Sequence, residues 1–201
     1  MSVTVDNRPL AVEQLGLKTV GEVLSHIQKD RRLAVHILID GQAPEPGQFG
    51  SLRNVELAGH TIYVETADPR QLALEVFDGV ADQLEQAEQA RQRACDMLAR
   101  NQPSSALEQL NICLRAWQHA QEAIGKTAAL LRIPLQDVRV EDKPISELLE
   151  GFASHLRQIR AALEQRDYVM LGDVLTYETE TVSARWRQCI ATMTAMVNSL
   201  E

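Results

Sequence analysis

The stretch Thr66-Ala67-Asp68-Pro69-Arg70-Gln71-Leu72, running on into Val76-Phe77-Asp78-Gly79-Val80, marks the point where one kind of sequence stops and another begins. Asp68 has the short acidic side chain that accepts from the first unpaired N–H groups of a helix. Pro69 takes the first helical position, where its missing N–H costs nothing, and Gln71 sits where a capping-box partner reaches back. A long helix therefore starts at Asp68. Before it, β-branched runs alternate with turns; after it, apolar residues recur at spacings of three and four, with almost no Gly or Pro inside the periodic segments. The junction divides the chain into a domain of residues 1–66 and a domain of residues 67–201.

In the N-terminal part, Val3 and Val5 alternate with Ser2, Thr4 and Asp6, and Asp6-Asn7 makes a hairpin turn into a second short strand near Leu10 to Leu17. Thr19 caps a helix that runs to Asp30, with Glu22 as its capping-box partner and Val20, Val23, Leu24 and Ile27 on its buried face. Two more apolar strands follow, in LAVHILIDG and VELAGHTIYVET. The order strand, turn, strand, helix, strand, strand suits a sheet wrapped around one helix. In element order it resembles the β-grasp fold of small ubiquitin-like sulfur carriers. Those carriers act through a free Gly-Gly end, whereas this sequence closes on Asn198-Ser199-Leu200-Glu201, so the resemblance implies a fold and not a chemistry.

Beyond Asp68 the periodicity predicts four helices packed as an antiparallel bundle, which makes the chain α+β. The first runs to about Arg100 with Leu72, Val76, Val80, Leu84, Ala87, Ala94 and Leu98 in one stripe, and Asn101-Gln102-Pro103 breaks it. The second opens on Ser104-Ser105 with Glu108 as cap and box. It then repeats Leu110, Leu114, Trp117, Gln121, Ile124, Ala128 and Leu131. Ile133 to Pro144 forms a crossover with one short extended segment around Val138 and Val140. The third helix runs from Ile145 to Arg166 with Leu148, Leu149, Phe152, Leu156, Ile159 and Leu163 inward. Asp167 caps a fourth helix reaching Leu200, long enough for part of it to overhang the third. Leu171, Leu175, Val182, Cys189, Met193 and Met196 form its inner seam together with Glu178. A buried carboxylate there must pair, with Arg115 or Arg157 as partner, snorkel to water, or mark an opening in the bundle. Trp117 and Trp186 face inward.

The wording TADPRQLALEVFDG resembles the start of the flagellar secretion chaperone family, whose first helix opens with Thr-Ala-Ser-Pro-x-Gln-Leu, an apolar stretch, an aromatic, Asp or Asn, and Gly. The similarity extends over residues 66–186. Arg157, Arg160 and Leu163 stand where that family has an Arg-rich end to its third helix, followed by Asp167, then Leu171 and Val174, then Trp186. Members of the family hold flagellin subunits before export. The resemblance implies that Leu72, Val76, Phe77 and Val80 line a groove for a partner's amphipathic helix, with packing in the core as the competing reading. Trp186 and Glu178 complete the candidate partner-binding set.

Composition narrows the function further. The formal net charge of −8 is spread along the chain, and the densest basic spots, Arg31-Arg32 and Arg185/Arg187, make no stripe with interleaved aromatics, so no nucleic-acid partner is expected. No apolar run approaches the ~20 residues of a membrane span, and MSVTVDNRPL has no signal-peptide pattern, so a cytoplasmic protein with no membrane partner is expected. Cys95, Cys113 and Cys189 are far apart in helical sequence and read as small buried hydrophobes of a reducing compartment. None of His26, His36, His60, His119 and His155 follows a Glu by three residues, as a dimetal bundle requires, and no P-loop, GxGxxG or GxSxG motif is present. The sequence points to a non-enzymatic, cofactor-free adaptor of a helical protein partner. The alternative is a structural module that forms a homodimer through its long last helix.

Overall fold

The computed structural model describes residues 2–45, 47 and 49–200. The fold is α+β, with a small mixed sheet near the N-terminus and helices beyond it. The chain divides into two compact units whose boundary in the sequence falls between Leu72 and Ala73.

The first unit is built on four strands: β1 (Ser2–Val5), β2 (Arg8–Pro9), β3 (Leu33–Ile39) and β4 (Thr61–Ala67). They lie in the order β2-β1-β4-β3, with β1 parallel to β4 and the other neighbours antiparallel. A parallel pair needs a crossover, and the chain makes it through helix α1 (Val20–Lys29) and the short helix α2 (Phe49–Leu52). The capping box of α1 forms as its sequence dictates: Glu22 N–H donates to Thr19 Oγ1 at 3.3 Å and the Thr19 N–H to the Glu22 carboxylate at 3.2 Å. Gly21 lets this helix start against the chain after α2. Its N–H donates to Arg53 O at 3.0 Å, and a Cβ there would lie 2.6 Å from that oxygen. Val20, Val23, Ile27, Leu52, Leu57, Ile62 and Val64 close the core.

Asp6 and Asn7 turn β1 into β2 with φ of 48° and 63°, the left-handed pair that a two-residue hairpin needs. The second strand is shorter than expected. The strand ends at Pro9, although Leu10 N–H still donates to Val3 O of β1 at 2.8 Å, and the segment Val12 to Leu17 folds into turns around a left-handed Gly16 instead of continuing the sheet.

The helical part comprises α3 (Pro69–Ala99), α4 (Pro103–Leu131), a hairpin of β5 (Arg139–Val140) and β6 (Lys143–Pro144), α5 (Ile145–Gln165), α6 (Tyr168–Asp173) and α7 (Thr179–Ser199). Asp68 caps α3 as anticipated, with Oδ1 accepting from the Arg70 N–H at 2.8 Å. The buried face of α3 keeps Val80, Leu84, Ala87 and Ala94 of the predicted stripe but departs from it in the first two turns and at half-buried Leu98. It presents Ala73, Phe77, Val80, Leu84, Ala87, Ala90 and Ala94, whereas Leu72 is half-buried and Val76 exposed. Helix α4 begins with Pro103 in its first turn and no side-chain cap, so Ser104-Ser105 and Glu108 do not act as a box. Its buried stripe includes Leu110, Cys113, Trp117, Ala120 and Ile124, while Gln121 points to solvent. The crossover is more structured than a single extended segment: a 3-10 turn over Leu135–Asp137 leads into the hairpin, whose Glu141 and Asp142 both take positive φ, and Val138 and Val140 are buried beneath it.

The last helix departs most from expectation. Between α6 and α7 the backbone widens into a π turn over Val174–Glu178. The turn takes up one more residue than an α-helix of the same span, so the inward positions just beyond it move on by one, whereas Trp186, Cys189 and Met193 are buried as expected. Thr179, Ser183 and Val197 face the core in place of Glu178, Val182 and Met196, alongside Trp186, Cys189, Ile190 and Met193. Burial persists from Leu171 to Val197, so no unpacked end overhangs among the described residues.

Candidate functional site: a cleft and a widened turn

Helix α5 presents Leu148, Leu149, Gly151 and Phe152 to one side of a narrow cleft, and α7 presents Val182, Arg185, Trp186 and Cys189 to the other. The cleft holds about 40 Å³. Its rim is formed by half-buried Leu148, Leu149 and Val182, and its floor by Phe152, Trp186 and Cys189, each at most 5 % exposed. The spacing explains the arrangement: residues three or four apart on a helix share a face, so Leu148/Leu149 with Phe152, and Val182 with Trp186 and Cys189, rise along facing sides.

The floor continues inward as a chain of rings. Trp186 and Phe152 meet edge to face at 5.0 Å, Phe152 and Trp117 at 5.7 Å, and Trp117 approaches the imidazole of His155 at 6.3 Å. Such T-shaped contacts set the positive edge of one ring on the negative face of the next. Nε1 of Trp117 and of Trp186 are buried with no hydrogen-bond partner among the described residues.

The chain of rings ends at the π turn. Thr179 Oγ1 donates to Val174 O at 3.0 Å, so its lone pairs accept from His155 Nε2 at 2.9 Å. This fixes the proton of the neutral imidazole on Nε2 and leaves Nδ1 bare, 4.0 Å from the Glu178 carboxylate and without a hydrogen bond. Burial holds the His155 pKa below its ordinary value, although Glu178 and the neighbouring Gln158 favour the charged form. On the opposite flank Arg91 donates to Leu175 O at 2.8 Å and, through its other nitrogens, to both oxygens of Glu88. That ion pair is almost enclosed, with the Arg91 side chain 8 % and the Glu88 side chain 17 % exposed. The guanidinium holds the Glu88 carboxyl below its ordinary range. The widened turn thus has side-chain partners on both sides, a fixed charge pair from α3 and a neutral histidine from α5.

The predicted partner-binding residues separate into groups. Phe77 and Val80 are fully buried, which corrects the groove expected on the first helix: their side chains serve the core, and of that set only Val76 is exposed, at 36 %. Trp186 lines the α5/α7 cleft from within. Glu178 is half-exposed at the π turn; it lies 4.0 Å from His155 Nδ1, and no ion pair with Arg115 or Arg157 is seen among the described residues. Sequence reasoning passed over His155, Thr179 and Arg91. His155 lies three residues after Phe152 and four before Ile159, and Arg91 four after Ala87, so the inward helical period carried a signal for both. Among the described residues no group of three or more His, Cys, Asp and Glu is assembled that could hold a metal ion, and no helix is long and apolar enough to cross a membrane.

Residues 75–189 match the family described as Domain of unknown function (DUF8042). The chain belongs to this family. The DUF8042 match covers both walls of the cleft, the chain of rings and both flanks of the π turn, and it begins after the four-stranded sheet. No curated protein and no solved structure matches the chain.

Proposed function

We propose that this protein is a non-enzymatic adaptor that holds an amphipathic helix of a protein partner in the cleft between α5 and α7. In this reading the helical unit is an antiparallel four-helix bundle of α3, α4, α5 and the rod formed by α6, the π turn and α7. The first unit is a β-grasp-like domain joined to it. The observation that carries the proposal is the cleft itself: an apolar floor with Trp186 in it, rimmed by half-exposed leucines and Val182. A partner helix covers such a surface with side chains at i, i+3 and i+4, and buried aromatic anchors contribute most of the binding energy at such contacts. The flagellar chaperone resemblance makes a flagellin-type export substrate the first partner to try, in the cytoplasm and without a cofactor.

The test compares the intact chain with the Leu149→Glu/Val182→Glu variant, mixed with purified flagellin and with a designed amphipathic helical peptide and followed by size-exclusion chromatography. Both positions are half-buried, so the variant is expected to keep its helical circular dichroism and to lose both complexes. Peptide binding without flagellin binding would discard the flagellar partner and keep the adaptor. Failure of both probes, or a variant that binds as well as the intact chain, would discard the cleft as a docking groove. One observation favours the second reading, self-assembly through the last helix: Val169 and Tyr177 near its start are 78 % and 74 % exposed. Light scattering that gives the mass of two chains, reduced to one by Val169→Asp/Tyr177→Asp, would support that reading.

A further inference from the structure

Among the described residues strand β3 is an edge of the sheet and pairs with β4 alone. The register identifies which of its backbone groups face outward. Val64 directs its carbonyl toward β1, where it accepts from the Asp6 N–H at 3.0 Å, so its antiparallel partner Ile37 turns both N–H and C=O away from β4. Ile39 faces the same way, but it closes on Gln42 with bonds of 2.9 and 3.0 Å. Ile37 has no such backbone partner among the described residues, and Val35, at the bulge beside it, is 48 % exposed.

Next to these groups lies a cleft of about 490 Å³ between β3, α1 and α2. Leu24, Ala34, Ile37 and Leu52 make its apolar wall and Arg53 carries its charge, while Arg32 at its margin is engaged with the Asp6 carboxylate at 3.5 Å and Thr66 O at 3.0 Å; no described carboxylate lines the cleft. The two features specify an occupant together. An outward N–H and C=O on one residue are satisfied by an extended chain and not by a helix, because a helix spends its own backbone groups internally. A strand laid there sends alternate side chains toward the cleft, where apolar groups fit, and the positive lining selects for carboxylates.

We propose that the open edge of β3 takes an extended, acidic segment of a partner protein as an added strand, paired at Ile37 and held by Arg53. This surface belongs to the first unit and is independent of the helix-binding reading above.

The probe is a peptide of about eight residues alternating Glu and Val, with two controls: the same peptide with Lys for Glu, and the Glu peptide N-methylated at its central residues. Titrated into the intact chain and followed by amide chemical shifts, the Glu peptide is expected to bind about tenfold or more tightly than either control, to shift the Ile37 amide, and to weaken as salt rises. Ile37→Pro should abolish binding; the N–H it removes faces outward, so the ladder to β4 is retained. Arg53→Glu should reverse the preference between the Glu and Lys peptides. If Ile37→Pro unfolds the unit, the N-methylated peptide still decides the matter from the probe's side. Equal binding of the methylated and plain peptides, equal binding of the Glu and Lys peptides, or binding of neither would overturn the proposal. So would a dimer of the free chain that the Glu peptide splits, since the edge would then be taken by a second copy.

Discussion

The two flanks of the π turn are buried against different elements and satisfied in opposite ways. Toward α3 the turn meets a charge that is always present: Arg91 is held by Glu88 and spends one nitrogen on Leu175 O. Toward α5 it meets a group that is neutral near pH 7, His155, bonded through one nitrogen to Thr179 and bare at the other beside Glu178. Both flanks place a donor near the backbone of the same widened helix, yet one is closed and the other is left with an open valence. The difference teaches that a wide turn can be held rigidly from one side while its other side stays responsive to protons and neighbours.

The largest effect should come from breaking the closed flank. Arg91→Met leaves Glu88 without its partner and Leu175 O without a donor, and is expected to lower stability by about 3–5 kcal/mol in urea unfolding. Adding Glu88→Gln should recover part of that loss. A loss under about 1 kcal/mol would mean that the pair is not what holds the α3 side. Cutting the open flank should cost less. Thr179→Val removes both the acceptor for His155 and the donor to Val174 O, for about 1–3 kcal/mol, whereas Thr179→Ser keeps the hydroxyl and should stay near the parent.

Acid should distinguish the flanks without a large mutation. Because burial depresses His155, the folded chain stays neutral there while the unfolded chain takes up a proton below its ordinary value of 6.5. The stability this site contributes is therefore intact above about pH 6.5 and falls as the pH drops toward the folded pKa. Glu88 is also depressed, but from 4.5, so the α3 flank weakens only below that value. Urea midpoints measured from pH 7.5 to pH 5 are expected to decline more steeply in the parent than in His155→Gln; parallel curves would show that His155 is not the titrating group.

The smallest effect is chemical. Burial pushes the thiols of Cys113 and Cys189 up to about 12 and about 11, while Cys95 is half-exposed beside Thr176 on the π turn. Iodoacetamide at about pH 8 should label Cys95 first, with mass spectrometry of the intact chain and its digest as the readout. Labelling of Cys113 or Cys189 at a similar rate would mean that the helices open far more readily than this packing implies.

What could be read in the sequence was local chemistry. Asp68 and Pro69, Thr19 with Glu22, Asp6-Asn7 and Asp167 announce their caps and turns because the groups they satisfy lie within a few residues. The strands of Leu33–Ile39 and Thr61–Ala67 followed from β-branched runs. The π turn was not legible, since VLTYE carries no Gly or Pro, and its reasons lie in Arg91 and His155, many residues away. Once it is missed, the turns just beyond it are misplaced, although Cys189 and Met193 fall inside either way: Glu178 is placed inside, and a buried-carboxylate problem arises that the molecule does not have. The α3 groove failed for a different reason. Phe77 and Val80 carry the same apolar character whether they face a partner or a core, and periodicity alone cannot separate the two.

The widened turn has one more consequence. A deletion inside an ordinary helix rotates everything after it by about 100° and scrambles the face it presents. Here the rod already holds a surplus residue, absorbed in the bulge between Leu175 and Thr179. Removing Thr176 should let the backbone close into plain α-helix with Leu171 and Leu175 still facing inward before the cut and Trp186, Met193 and Val197 still facing inward after it. At this point the chain can lose a residue and keep its phase.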